Sequence, residues 1–117
     1  MIYQKMKPKT KVKWLASLRS GKYKQARGAL EVYKDGKIFG NCCLGVLLRC
    51  NWVEPMSVGD NRAVFGTSFY LNSWEDLIPQ YQELFGLSED ANNRLILLND
   101  KHRFSFNQIA DWVEKHL

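Results

Sequence analysis

The sequence predicts a small single α+β domain, in which a β-hairpin or three-stranded antiparallel sheet packs against a central apolar helix and C-terminal helices. Three observations predict it. Asp35-Gly36 lies between Tyr33-Lys34 and Lys37-Ile38, and a two-residue type I′ turn needs residues that tolerate positive φ at both central positions. Residues 42–50, CCLGVLLRC, are apolar nearly all round, the pattern of a helix buried on every side. In the last third, helix-start and helix-stop residues recur at helical spacing. With 117 residues, 45% of them hydrophobic, plus four Trp, five Tyr and six Phe, the chain can enclose one core and has little room for a second.

Residues 1–9 read as a flexible basic arm, since Pro8 disfavours helix at Lys7, and the domain spans 10–117. Thr10 reads as the N-cap of a helix over 11–20, with Val12, Leu15 and Leu18 at threes, Trp14 beside them and Gly21 as a left-handed stop. The hairpin covers about 29–33 and 38–41, which sets Val32 opposite Phe39 and Tyr33 opposite Ile38. Asn41 is the expected cap of the apolar helix. Gly45 inside it costs about 1 kcal/mol relative to Ala, which predicts a close-packed neighbour. Residues 59–61 read as a turn, and 62–71 as one or two strands, with Gly66 at a bulge or turn. Ser73 with Asp76 caps a segment over 74–78, and Pro79 sits in the first turn of another that ends at Phe85 and Gly86. Ser88 caps a helix bearing Ala91, Leu95 and Leu98. Ser105 and Gln108 form a capping box, flanked by Phe104 and Ile109 as a hydrophobic staple, at the start of a final helix over 106–116 with Ile109, Trp112 and Val113 inward.

No apolar run approaches the roughly 20 residues of a membrane span, and no apolar segment follows the basic N-terminus as in a signal peptide. The expectation is a cytoplasmic protein without a membrane partner. Cys42, Cys43 and Cys50 read as buried reduced thiols, because on one helix Cys43 and Cys50 lie about 10 Å apart, too far for a disulfide. Adjacent cysteines and two histidines make a poor zinc set, so neither metal nor cofactor is expected. The net charge of +5 is unevenly spread: residues 1–37 hold eleven Lys/Arg against two acids, and residues 38–117 hold six against ten. One basic face that attracts anions follows from such asymmetry.

The densest candidate for chemistry is RSGKYKQARG, residues 19–28. Arg19, Lys22, Lys24 and Arg27 supply charge, Tyr23 a stacking face, Gln25 an amide, and the flanking glycines allow close approach. That mixture suits a phosphate-bearing ligand, although no P-loop pattern is present. Asn99 and Asp100 either serve the same ligand or end a helix and start a turn, and the structural role is favoured. A Cys43–His102 dyad oriented by Asn99 or Asp100 is the hydrolase alternative, with burial of Cys43 the better explanation. Glu75-Asp76 and Glu89-Asp90 complement helix dipoles. Trp14 and Trp112 lie on core stripes. Trp52 and Trp74 are less constrained, and Trp52 is read as core or half-exposed rather than as a pocket border.

The blocks WLASLRSGKYKQARGAL, NCCLGVLLRC and LILLNDKHRFSFNQIADWVEKHL, in that order, resemble a group of small uncharacterised bacteriophage and prophage proteins. After the Asn-Asp pair the group has a small-residue turn where this chain has KHRF, so His102 lies outside the shared pattern. The resemblance implies a phage accessory protein in the bacterial cytoplasm, with counter-defence as its setting, and brings no catalytic mechanism. The expected function is therefore non-enzymatic capture of a small anionic nucleotide signal by Arg19, Lys22, Tyr23, Gln25, Arg27, Asn99 and Asp100, with a homo-oligomer interface compatible with such a site. The alternatives are nucleic-acid binding, through KMKPKTKVK and the basic loop, and docking on an acidic host defence protein.

Overall fold

Pro8 decides where the first helix begins. A computed structural model, which describes residues 2–59, 61–65, 77 and 79–117, starts α1 at Pro8–Arg19, with Pro8 at the first helical position, where its missing N–H costs nothing. The expected cap, Thr10, therefore lies inside the helix, and Lys7 is the capping residue, extended at φ −63° and ψ 127° with no side-chain cap. The segment before it is not the free arm expected. Tyr3 and Met6 are buried, Met6 N–H donates to the Leu117 carbonyl at 3.1 Å, and Lys7 N–H donates to that of Phe85 at 3.1 Å. The Tyr3 ring meets Trp112 edge-on at 5.2 Å. Gly21, past the helix end, has the expected positive φ of 74°.

The hairpin forms as β1 (Glu31–Lys34) and β2 (Lys37–Asn41), joined at Asp35 (φ 53°) and Gly36 (φ 76°), the geometry of the I′ turn. Tyr33 pairs with Ile38 as expected. Val32 pairs with Gly40, not Phe39, because the register shifts by one residue between them. Gly40 explains the shift. A Cβ there would lie 2.9 Å from the Lys24 carbonyl and 3.1 Å from the Ala26 methyl, so only glycine lets residues 24–26 run beside the strand. Lys24 O accepts from Asn41 N–H and Ala26 N–H donates to Asn41 O, both at 2.8 Å. The basic segment is thus laid along the end of β2.

α2 (Cys43–Cys50) is buried along its whole length except at Arg49. Asn41 does not cap it. Cys42 precedes it at φ −78° and ψ 175° without a side-chain cap, and the Asn41 amide turns instead to the Leu30 carbonyl and Glu31. Gly45 has the close neighbour its cost predicts, since a Cβ there would overlap the Leu30 carbonyl. Trp14 Nε1 donates to Cys43 O at 2.9 Å and locks α1 to α2.

β3 (Ser57–Gly59) and β4 (Arg62–Val64) add a second antiparallel pair, with Asn61 between them at φ 61°. Among the described residues the sheet has four strands in the order β2-β1-β4-β3, one more than in a three-stranded sheet. Among the described residues, α3 (Pro79–Phe85), α4 (Glu89–Asp100) and α5 (Phe106–His116) follow. Gly86 closes α3 at φ 71°, Ser88 caps α4 by accepting from Ala91 N–H, and both halves of the Ser105–Gln108 capping box are made. Ala91, Leu95, Leu98, Ile109 and Val113 join α2 in one core. The expected features at Gly66, over residues 67–71 and at Ser73, Trp74 and Asp76 lie outside the described residues. Among the described residues, no helix is long and apolar enough to cross a membrane.

Gly45→Ala should destabilise the fold by about 3 kcal/mol or more, because relief of the overlap requires the α2 and β1 backbones to separate. A denaturant midpoint indistinguishable from wild type would contradict this packing.

Candidate functional site

Three elements converge where the basic segment crosses the end of α2. The last turns of α1 bring Lys13, Ser17 and Ser20, the loop after it brings Lys22, Tyr23 and Lys24, and the end of α2 brings Arg49, Cys50 and Trp52. They line two adjoining cavities that are open to solvent. One, of about 360 Å³, is bordered by Lys13, Ser17, Ser20 and Cys50. The other, of about 440 Å³, is bordered by Lys24, Glu31, Ile38 and Phe39. Lys22, Tyr23, Arg49 and Trp52 line both.

Arg49 is the fixed cation. Its Nε and Nη2 each approach a Glu31 carboxylate oxygen at 2.6 Å, the bidentate pairing that matches a planar guanidinium to a carboxylate. Glu31 is completely buried, and also accepts from Asn41 Nδ2 at 2.9 Å and the Tyr33 hydroxyl at 2.8 Å. Burial pushes the Glu31 carboxyl up, but the donors from Arg49, Asn41 and Tyr33 outweigh it and hold the group below its ordinary value. The Glu31 hydrogen bond raises Arg49 in turn. Among the described residues, Glu31 is the one acid in the lining of either cavity, and it is paired with Arg49.

Trp52 is the unexpected residue. It is 81% exposed, not packed as the sequence suggested, and its backbone is left-handed at φ 58°. It occupies the position after the α2 C-cap where glycine is usual: Trp52 N–H donates to Arg49 O and Val53 N–H to Leu48 O, both at 3.0 Å, forming a Schellman motif. A large side chain in this conformation costs about 1–2 kcal/mol. Lys13 Nζ lies 4.5 Å from its ring centroid, and Lys24 Nζ lies 3.8 Å from that of Phe39.

Of the residues singled out from sequence, Lys22, Tyr23 and Lys24 reach the cleft and the others do not. Arg19 turns to α5, where Nη2 meets Asp111 at 2.8 Å and Glu114 at 3.1 Å. Arg27 is exposed and lines neither cavity. Gln25 Nε2 donates to Asn99 Oδ1 at 2.9 Å and to the Phe104 carbonyl at 2.8 Å. Buried Asn99 also accepts from Cys43 N–H at 3.3 Å and donates to the Ala26 carbonyl at 2.9 Å and Asp100 at 2.8 Å. Asp100 Oδ1 accepts from Gly28 N–H at 3.0 Å. These three side chains are a polar tether that ties the basic segment to α2 and α4. None of the three lines either cavity. Lys13, Arg49, Phe39 and Trp52 were missed as site residues. The one available signal was Arg49, the lone charge in an otherwise apolar helix.

Cys43 makes a poor nucleophile. Burial pushes its thiol well above the ordinary value, and pushes that of Cys42 to about 12. His102 is exposed in the α4–α5 loop, and no hydrogen bond joins it to Cys43. All three cysteines are free and buried, as expected. Among the described residues, no group of three or more His, Cys, Asp or Glu side chains is arranged to hold a metal ion.

The family described as a domain of unknown function (DUF8296) matches residues 6–82, about two thirds of the chain. The chain belongs to that family. Every residue that lines the two cavities falls within the matched span, whereas α4 and α5 lie beyond it. No curated protein and no solved structure matches the chain.

Two outcomes follow from the buried polar groups. Asn99→Ala should cost about 2–3 kcal/mol, since it strips partners from buried backbone groups of Ala26 and Cys43, and thermal denaturation measures it. Glu31 stabilises the fold fully above its unfolded pKa, and that contribution is lost as pH falls through its depressed folded value. Wild type should therefore lose stability on the acid side below about pH 4.5. Glu31→Gln should be less stable at neutral pH, by about 3 kcal/mol for a broken buried pair, and should lack that component of the acid slope. Parallel pH–stability curves for the two proteins would refute the assignment.

Proposed function

We propose that this chain is a non-catalytic binding protein that captures a small anionic ligand of the nucleotide type in the cleft between α1, β2 and the end of α2. The observation that carries the reading is Trp52, a large ring presented to solvent at a left-handed position, beside Lys13 and in the same cavity lining as Lys22 and the fixed Arg49. Strain of this kind gathers where a side chain serves a ligand rather than the fold. Trp52 and Tyr23 supply stacking faces, Lys13, Lys22 and Lys24 supply mobile charge, and Arg49 supplies a preorganised donor. The resemblance to bacteriophage proteins suggests the setting, a phage-infected bacterial cell in which sequestering a host nucleotide signal blunts defence.

An extended nucleic-acid track along residues 5–13 fits less well. Lys5 Nζ donates to the His116 carbonyl at 3.2 Å and Lys11 Nζ to that of Glu114 at 3.1 Å, so part of that basic stretch serves the contact with α5.

Calorimetry with nucleoside phosphates, cyclic dinucleotides and ADP-ribose derivatives tests the proposal. Saturable binding that weakens with added salt is expected, and Lys22→Ala should reduce affinity about tenfold or more through loss of one charge-assisted contact. Trp52→Gly should raise stability by about 1 kcal/mol while losing about 1–3 kcal/mol of stacking. Silence of the folded wild-type protein across the panel would overturn the reading.

A further inference from the structure

The two cavities share a wall, and each has one lysine that the other lacks. Trp52 and Tyr23 border both cavities, together with Lys22 and Arg49. Lys13 borders only the first cavity and Lys24 only the second, one on either side of the shared wall. Both lysines are exposed, and neither forms an ion pair with a described residue. Each rests on a ring instead: Lys13 Nζ lies 4.5 Å from the centroid of Trp52, and Lys24 Nζ lies 3.8 Å from that of Phe39. A cation held at an exposed site by a ring face alone is weakly held. The complement of such a lining is a molecule with one aromatic body and anionic groups that leave it in two directions.

We infer that the ligand is a free nucleoside with phosphate at both its 3′ and 5′ positions, its base on Trp52, one phosphate taken by Lys13 and the other by Lys24; this deepens, and rests on, the nucleotide reading above. Phosphates at these two positions diverge across the sugar, as the two lysines diverge across the shared wall. Lys22 and Arg49, common to both cavities, are the cations between them. A terminal phosphate carries about 1.5–2 negative charges near pH 7, more than a phosphodiester, and so suits a lysine with no acid to neutralise it. Binding is an exchange of partners at Trp52. A base that stacks there takes the face that Lys13 holds and releases the ammonium to a phosphate, so that one contact is replaced by two.

Calorimetry on the full chain tests this with the 5′-monophosphate, the 3′,5′-bisphosphate and the 5′-triphosphate of each common ribonucleoside. The triphosphate has a charge comparable to that of the bisphosphate but holds it all at one end. The bisphosphate of at least one base should bind one per chain, about tenfold or more tighter than the other two forms. Lys13→Ala and Lys24→Ala, both at exposed positions that leave the core intact, should each weaken bisphosphate binding about tenfold. Only one of the two should weaken the monophosphate, because a single phosphate reaches a single side. A triphosphate bound as tightly as the bisphosphate, or a bisphosphate indifferent to either lysine, would overturn the two-sided inference and leave the nucleotide reading standing, whereas no binding of any nucleotide overturns both. An internal nucleotide of a single strand also has phosphate on both sides, and a single-stranded 12-mer separates that source from the free ligand. The 12-mer should bind more weakly than the bisphosphate, and tighter binding overturns the assignment to a free nucleotide.

Discussion

The pairing of Glu31 with Arg49 is the constraint around which the functional end of the molecule is arranged. A carboxylate with no exposed surface survives only if its oxygens are fully occupied by donors, and Glu31 takes two from Arg49, one from Asn41 and one from Tyr33. Each donor is thereby committed. Asn41 gives up the cap of α2, Tyr33 is fixed on the sheet, and the last turn of α2 is anchored to the first residue of β1. The pair also decides the electrostatics, because the one acid among the described residues that line the cleft is paired with Arg49, and the lysines around it keep their field.

The excess of positive charge in the first third of the chain divides into two uses. Lys5, Lys11 and Arg19 reach across to the last helix, where they meet its closing carbonyls and the carboxylates of Asp111 and Glu114. Lysine near a helix C-terminus complements the dipole there, so that half serves the fold. Lys13, Lys22 and Lys24 stay with the cleft. The alternation follows from helical geometry, since Lys11 and Lys13 lie about 200° apart around α1 and face different neighbours. Trp52 belongs with the second group: its conformation works against the fold, and the Schellman hydrogen bonds around it hold the ring where it stands.

Local chemistry was legible wherever one or two adjacent residues decide the outcome. Asp35-Gly36 can hardly be anything but a tight turn, and Ser88, Ser105 with Gln108, Gly21 and Gly86 mark helix ends by capping geometry alone. Gly45 announced its close neighbour through its own cost. The misreadings arose where a distant group outbid a local one. Thr10 is a good cap by type, but Pro8 had already begun the helix. Asn41 is a good cap by type, but the buried carboxylate of Glu31 needs the amide more. The hairpin register follows its turn until Gly40 meets residues 24–26, which no hairpin rule includes. Gln25, Asn99 and Asp100 could be assigned to a ligand or to the fold with equal ease, because amides and carboxylates serve both; their partners, up to 79 residues apart in sequence, were the missing information.

By itself, the sequence determined the class of fold, the number and kind of its helices beyond residue 78, the hairpin, the buried state of the cysteines and the presence of an excess of positive charge near one end. These depend on periodicity, turn chemistry and composition, which act over a few residues. Only the tertiary structure decided which cations share a cleft, which side chains are tethers, and that an exposed tryptophan stands at the cleft's rim. Those outcomes depend on where the ends of α1, α2 and β2 meet, and that meeting point is fixed by burial of the whole core rather than by any segment taken alone.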